Sequence, residues 1–227
     1  MSQPKVIFLD AVGTLFGIRG SVGEVYGAIA RKFGVQTSPE VLNEAFFNAF
    51  AAADPPVFPG TDSQEIPRRE FEWWEAIAQT TFRQAGVFEE FADFSDFFAE
   101  LYDHFTTAEP WFIYPDVLPA LEQWRRIGIQ LGILSNFDSR LYSVLKALKL
   151  EEFFTSITIS TEVGFAKPDP QIFTIALQKH YCEPPDAWHI GDSFKQDYQG
   201  AKAAGLKPIF LERITQTTGP ELIASQF

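Results

Sequence analysis

The sequence predicts an α/β fold: a doubly wound, parallel, five-stranded sheet interrupted by an inserted run of helices. Three observations predict it. After residue 128, short apolar runs alternate with helical stretches; one isolated apolar run stands near the start; and the roughly ninety residues between them show no comparable strand. A connection that long must have structure of its own. Strand and helix in alternation imply a parallel sheet covered on both faces.

Each element has a local reason. KVIFLD, ending at Asp10, is apolar on both faces, as a central parallel strand must be, and the turn-prone AVGTLFGIRG follows it. Strands are then expected at 129–134 (IQLGIL), 156–160 (SITIS), 187–191 (AWHIG) and 207–211 (KPIFL). Helices are expected between them at 115–127, 138–148, 170–180 and 194–204, from proline-led first turns or apolar residues at three-to-four spacing. Within the insert the pattern is helical at 21–33, 38–53, 67–85 and 88–105. Ser38 followed by Pro39 is a cap with proline at the first helical position. Well over half of the 24 phenylalanines fall between Phe16 and Phe112, enough for a small bundle to hold its own core. Residues 1–16 and 106–227 are therefore expected to form a Rossmann-like core and 17–105 a helical cap, joined through 17–20 and 106–114.

Composition narrows the function. The 227 residues are 46% hydrophobic and 21% charged, which excludes disordered and disulfide-scaffold classes. A net charge of -12 repels nucleic acid and anionic membranes, so neither is expected as a partner. The single cysteine, Cys182, cannot form an internal disulfide, and the apolar run 6–9 is too short for a signal or a span. A cytoplasmic protein acting on a small molecule is expected, with the oligomeric state open.

In an open parallel sheet, ligands bind beyond the carboxyl ends of the strands. That rule selects Asp10, Ser135 with Asn136, Lys167, and Asp192 with Asp197. A carboxylate such as Asp10 can attack phosphorus to give an aspartyl-phosphate, but the negative charges must be offset. Mg²⁺ suits this, held by Asp10 and Asp192, while Lys167 and Ser135 meet phosphate oxygens and Asp197 orients a metal-bound water or Lys167. Each residue taken alone has a plainer structural reading: Asp10 as a turn former, Asp192 and Ser135-Asn136 as helix caps, Lys167 as a solvated lysine. Their shared order and placement outweigh those readings.

The same residues resemble a known family. DxxGT (Asp10 to Thr14), an apolar strand with Ser135, Lys167 with Pro168, and GDSFKQD (Gly191 to Asp197) are similar to the four motifs of the haloacid dehalogenase-like hydrolases. More narrowly, DAVGTLF, LSNFD and GFAKPDPQIF resemble the rhythmically-expressed-gene-2-like subgroup. The resemblance implies an α-helical cap, Asp10 as nucleophile, Ser135 and Lys167 as phosphate binders alongside Thr14 and Asn136, and Mg²⁺ on Asp10, Asp192 and the Val12 carbonyl, with Asp197 nearby. It also exposes a departure: the family's phosphatases carry a second aspartate where this chain has Val12, and valine cannot transfer a proton. General acid-base help is worth roughly 10² to 10⁴ in rate. A slow, Mg-dependent phosphatase acting on a small phosphorylated metabolite is expected. The alternatives are a weak or inactive phosphate- or metal-binding regulatory protein and, third, a 2-haloacid dehalogenase; dehalogenases also lack that aspartate, but they lose the metal-binding acid that this chain retains as Asp192. Arg19 or Arg31 would have to hold the haloacid. A Schiff-base role for Lys32 ranks below these. Trp73 and Trp74 are expected mainly in packing, Arg68, Arg69 and Glu70 at an exposed helix start, and His189 buried in a strand.

Overall fold

The computed structural model describes residues 3–213. Its main sheet has five parallel strands: β1 (Val6–Leu9), β4 (Gln130–Ser135), β5 (Ser156–Ile159), β6 (Ala187–Gly191) and β7 (Lys207–Phe210), in the order β5-β4-β1-β6-β7. β1 is central, with Leu9 paired to Ile133 on one side and Ile190 on the other. All four of its side chains are buried, and alternation sends them to opposite faces. Ile7 and Leu9 pack with Leu121, Leu141 and Val144, from α5 (Val117–Arg126) and α6 (Arg140–Ala147). Val6 and Phe8 pack with Ile172, Phe173 and Ala176 of α8 (Pro170–Lys179). This two-sided burial explains the unbroken apolar run.

Four helices lie between the first and second strands of the main sheet: α1 (Val22–Lys32), α2 (Pro39–Ala52), α3 (Ile66–Gln84) and α4 (Phe94–His104). They share a core of their own, including Tyr26, Phe46, Phe82, Phe97 and Phe98. The connections are more ordered than a pair of linkers. β2 (Phe16–Ile18) and β3 (Trp111–Ile113) pair antiparallel, with Phe16 opposite Ile113 and Ile18 opposite Trp111. The two covalent links between the helices and the sheet therefore form one ribbon.

Three expected elements, two helices and a strand, differ in detail. The stretch 88–105 opens with a 3₁₀ turn at Phe88–Glu90, and α4 starts afresh at Asp93, whose carboxylate accepts from the backbone of Ser95 and Asp96. The fourth-motif helix begins as a π-helical turn, Phe194–Gln199, before α9 (Gly200–Ala203). The strand expected at 156–160 stops at Ile159, and Ser160 instead begins the short α7 (Ser160–Val163).

Candidate active site

The expected residues converge at the carboxyl edge of the sheet. Asp10 follows β1, Ser135 ends β4, Lys167 lies between α7 and α8, and Asp192 follows β6; all are at most 4% exposed, as is Asp197. Lys167 Nζ donates to Asp10 Oδ1 and to Asp197 Oδ1, each at 2.6 Å. Asp197 Oδ1 also lies 2.7 Å from His189 Nε2, and its Oδ2 accepts from the Ser193 amide at 2.9 Å. Since a carboxylate only accepts, Nε2 of His189 carries the proton. His189 is fully buried within β6, as its position in the strand implied.

Two glycines make room for the acids. Gly13 has a φ of 83°, and a Cβ there would stand 2.2 Å from Asp192 Oδ2; at Gly191 a Cβ would stand 2.1 Å from Asp197 Cγ. Any side chain at either position would displace a carboxylate, and Gly13 also has a backbone conformation that L-residues rarely adopt. Asn136 fixes the lysine backbone reciprocally: its Oδ1 accepts from the Lys167 amide at 2.7 Å and its Nδ2 donates to the Lys167 carbonyl at 3.0 Å. Nδ2 also donates to Gln196. Thr14 turns its hydroxyl to Asp192 Oδ1 at 3.4 Å, and Val12 presents its buried side chain beside Asp10.

The electrostatics are unequal. Burial would lower the Lys167 ammonium, but Asp10 and Asp197 outweigh it and hold it above its usual range. Burial would raise Asp197, yet Lys167 and His189 keep it below the carboxylate range. Burial raises Asp10 against the pull of Lys167. Asp192, with burial and the charges of Asp10 and Asp197 against it, is pushed up to about 8.

This donor set fits a divalent cation of the hard, oxygen-seeking kind. Asp10, Asp192 and Asp197 each offer an oxygen, all within 4.8 Å of one another. Asp192 Oδ2 is buried with no hydrogen-bond partner, whereas both oxygens of Asp197 already accept from protein donors. Asp10 and Asp192 are thus the carboxylates with capacity to spare.

Above this edge lies a cavity of about 430 Å³, floored by Asp10, Val12, Ser135 and Lys167 and walled by the helices of the insert. Trp73 and Trp74 pack against the core of the insert, as expected, and both also line the cavity. The Trp74 indole donates to Asp138 Oδ2 at 2.7 Å and the Trp73 indole to the Asp54 carbonyl at 2.9 Å. Sequence reasoning passed over Asp138 and Arg140 and placed Glu70 at an exposed helix start. Arg140 grips Asp138 with two bonds, Nε to Oδ1 at 2.8 Å and Nη2 to Oδ2 at 2.7 Å. Burial works against Asp138, but Arg140 prevails and lowers its carboxyl. Glu70 is 1% exposed, not part of an exposed helix start, and accepts from the Ser139 amide at 2.9 Å and from its hydroxyl. Arg68 and Arg69 are exposed beside Glu72, as are Arg19, Arg31 and the Lys32–Glu100 pair.

Comparisons with known proteins agree on a family. Residues 4–205 match the family model described as haloacid dehalogenase-like hydrolase. The chain is 36% identical to mouse haloacid dehalogenase-like hydrolase domain-containing protein 3 over 205 residues, covering 90% of this chain and 80% of that one. It is 30% identical to the Drosophila melanogaster rhythmically expressed gene 2 protein over 216 residues, covering 90% and 82%. Among solved structures, a phosphatase from Thermococcus onnurineus superposes with a TM-score of 0.62 at 23% identity, covering 94% of this chain and 88% of that one. The L-2-haloacid dehalogenase of Xanthobacter autotrophicus, with chloropropionic acid covalently bound, gives 0.65 at 18%, covering 94% and 80%. At such identities the likeness fixes the fold, and the two neighbours differ in reaction.

Proposed function

Because the chain belongs to the haloacid dehalogenase-like hydrolases, we propose that it hydrolyses phosphate monoesters, with 1–16 and 106–227 acting as catalytic core and 17–105 as a cap over the cleft. Asp10 is the nucleophile. Lys167 engages its Oδ1, leaving the other carboxylate oxygen to attack phosphorus. Lys167 and Ser135 hold phosphate oxygens with Thr14 and Asn136 at the edge, Asn136 by fixing the Lys167 backbone and Thr14 by steadying Asp192. Asp197 keeps the ammonium charged and aimed. Mg²⁺ would be held by Asp10, Asp192 and the Val12 carbonyl, with Asp197 behind, and bound there it offsets phosphoryl charge.

The observation that carries the reading is Asp192, a buried carboxylate with an unpartnered oxygen beside Asp10. Left bare, its carboxyl is pushed up to about 8 by burial and its acidic neighbours, so ionising it needs a positive charge beside it. Hydrolysis of a haloacid gains nothing from it, while phosphoryl transfer with a divalent cation uses it. Asp10→Asn is the test: turnover of p-nitrophenyl phosphate with Mg²⁺ should vanish while the circular dichroism spectrum stays unchanged. Wild-type turnover of that ester, lost in the variant, supports the reading. Halide release from 2-chloropropionate without Mg²⁺ would replace it with dehalogenation, and no turnover of either substrate would favour a phosphate- or metal-binding protein.

A further inference from the structure

The cavity over Asp10 is built for a flat, apolar leaving group, and we propose that the substrates are phosphate monoesters of aromatic alcohols. The inference rests on the phosphatase reading and adds what lies on the far side of the ester oxygen.

The first observation is the wall. Tyr26, Phe46, Phe50, Trp73, Trp74 and Phe98 face the cavity, drawn from four different helices. They brace one another: Phe50 stacks on Trp74 with ring centroids 5.9 Å apart, and Trp73 meets Trp74 edge-on at 4.8 Å. The volume, about 430 Å³, is that of a small-molecule site, which typically combines such walls with few polar groups.

The second observation is that the polar groups lining the chamber are mostly committed elsewhere. Arg140 and Asp138 satisfy each other bidentately, and the Trp74 indole completes Asp138. Asn136 and Gln196 bond to each other, and Ser193 Oγ accepts from the Gln196 amide. Lys195 and Asp54 are exposed. The phenol hydroxyls of Tyr26 and Tyr102 remain, enough for one polar substituent but not for the hydroxyls of a sugar. Each hydroxyl buried without a partner costs affinity.

The third observation concerns the proton. Asp10 is followed at the cavity floor by Val12, and Asp138, the buried carboxylate of the wall, is ionised and gripped by Arg140. No side chain of this set can protonate a departing oxygen. A phenol has a pKa near 10, as in tyrosine, against about 15.7 for water. An aryl oxygen therefore leaves unaided where an alkoxide does not. The Asp10 oxygen bonds to phosphorus as the phosphorus–aryloxy bond breaks, and the phenolate departs with the electron pair. Water then adds to phosphorus, Asp10 returns as carboxylate, and the water's proton ends on phenolate or phosphate.

The test compares kcat/KM, with Mg²⁺, for 1-naphthyl, phenyl, benzyl and glycerol phosphates, and for acetyl phosphate, which is activated and has no apolar body. Naphthyl and phenyl phosphate should exceed glycerol phosphate by at least about 100-fold, and benzyl, aromatic but with an alkoxide to expel, should fall below phenyl by about 10²-fold. Phe50→Asn should raise KM for naphthyl phosphate about tenfold. A preference for glycerol phosphate, with acetyl phosphate turned over, would overturn the inference and leave the phosphatase reading standing. If acetyl phosphate and the aryl esters are all inert, the phosphatase reading fails, and quenching of tryptophan fluorescence by 1-naphthyl phosphate decides the pocket. Saturable quenching that glycerol phosphate does not reverse supports aromatic recognition; no quenching refutes it.

Discussion

Arg140 puts a full positive charge where water hardly reaches. It is 9% exposed, paired to Asp138 and laid over the rings of Tyr102 and Trp74 at 4.0 and 5.0 Å. Truncation would strand the Asp138 carboxylate, and breaking a buried pair from one side costs about 3–5 kcal/mol. Arg140→Ala should lose stability of that order in urea unfolding. Glu70 offers a pH signature. Burial raises its carboxyl above the usual range, against the hydrogen bonds from Ser139 and Thr161 and with Asp138 adding to the rise. The folded state then holds the proton more tightly than the unfolded chain. Its contribution to stability is greatest below about pH 4.3 and declines as pH climbs from there through the folded-state value. Glu70→Gln should remove that decline, so the variant gains relative to wild type between pH 4 and 8; a difference in unfolding free energy independent of pH would refute this. Neither residue was legible in the sequence. The charges that could be read, Asp10, Lys167 and Asp192, sit at strand ends where topology alone brings them together, whereas Glu70 and Arg140 are buried by α3 packing on the loop after β4, a contact with no local pattern.

The helices of the insert begin on local signals, and these can be broken one at a time. Ser21 caps α1 by a reciprocal pair: its Oγ accepts from the Glu24 amide at 3.1 Å, and Glu24 Oε2 accepts from the Ser21 amide at 2.8 Å. Ser21→Ala should cost about 1 kcal/mol in chemical denaturation. Strands buried on both faces and amphipathic helices were readable because their periods repeat over enough residues. β2 and β3, three residues each, are too short to show a period, so the ribbon joining sheet and insert read as plain connection. The break before α4 went unread because the phenylalanines continue across it, while the cap that decides the boundary is the single residue Asp93.

At the scale of the molecule, the acids at the sheet edge repel one another until a cation joins them, so binding should be visible as stability without any substrate. Mg²⁺ at 100 times its dissociation constant adds about 2.7 kcal/mol. The melting temperature should climb with Mg²⁺, and Asp192→Asn should flatten that response. No described helix is long and apolar enough to cross a membrane. The topology has a further effect, on the chain as it is made. β1 sits at the middle of the sheet, yet Leu9 finds its neighbour Ile190 only after some 180 residues more have been synthesised. At about 5–20 residues per second that is roughly 10–35 s. Until β4 is made, about 120 residues on, VIFL, apolar on both sides, has no sheet to enter, and its β6 flank stays open for the whole interval, while the insert can already gather its phenylalanines. The nascent chain should therefore be a chaperone client, with residues 6–9 as the segment held.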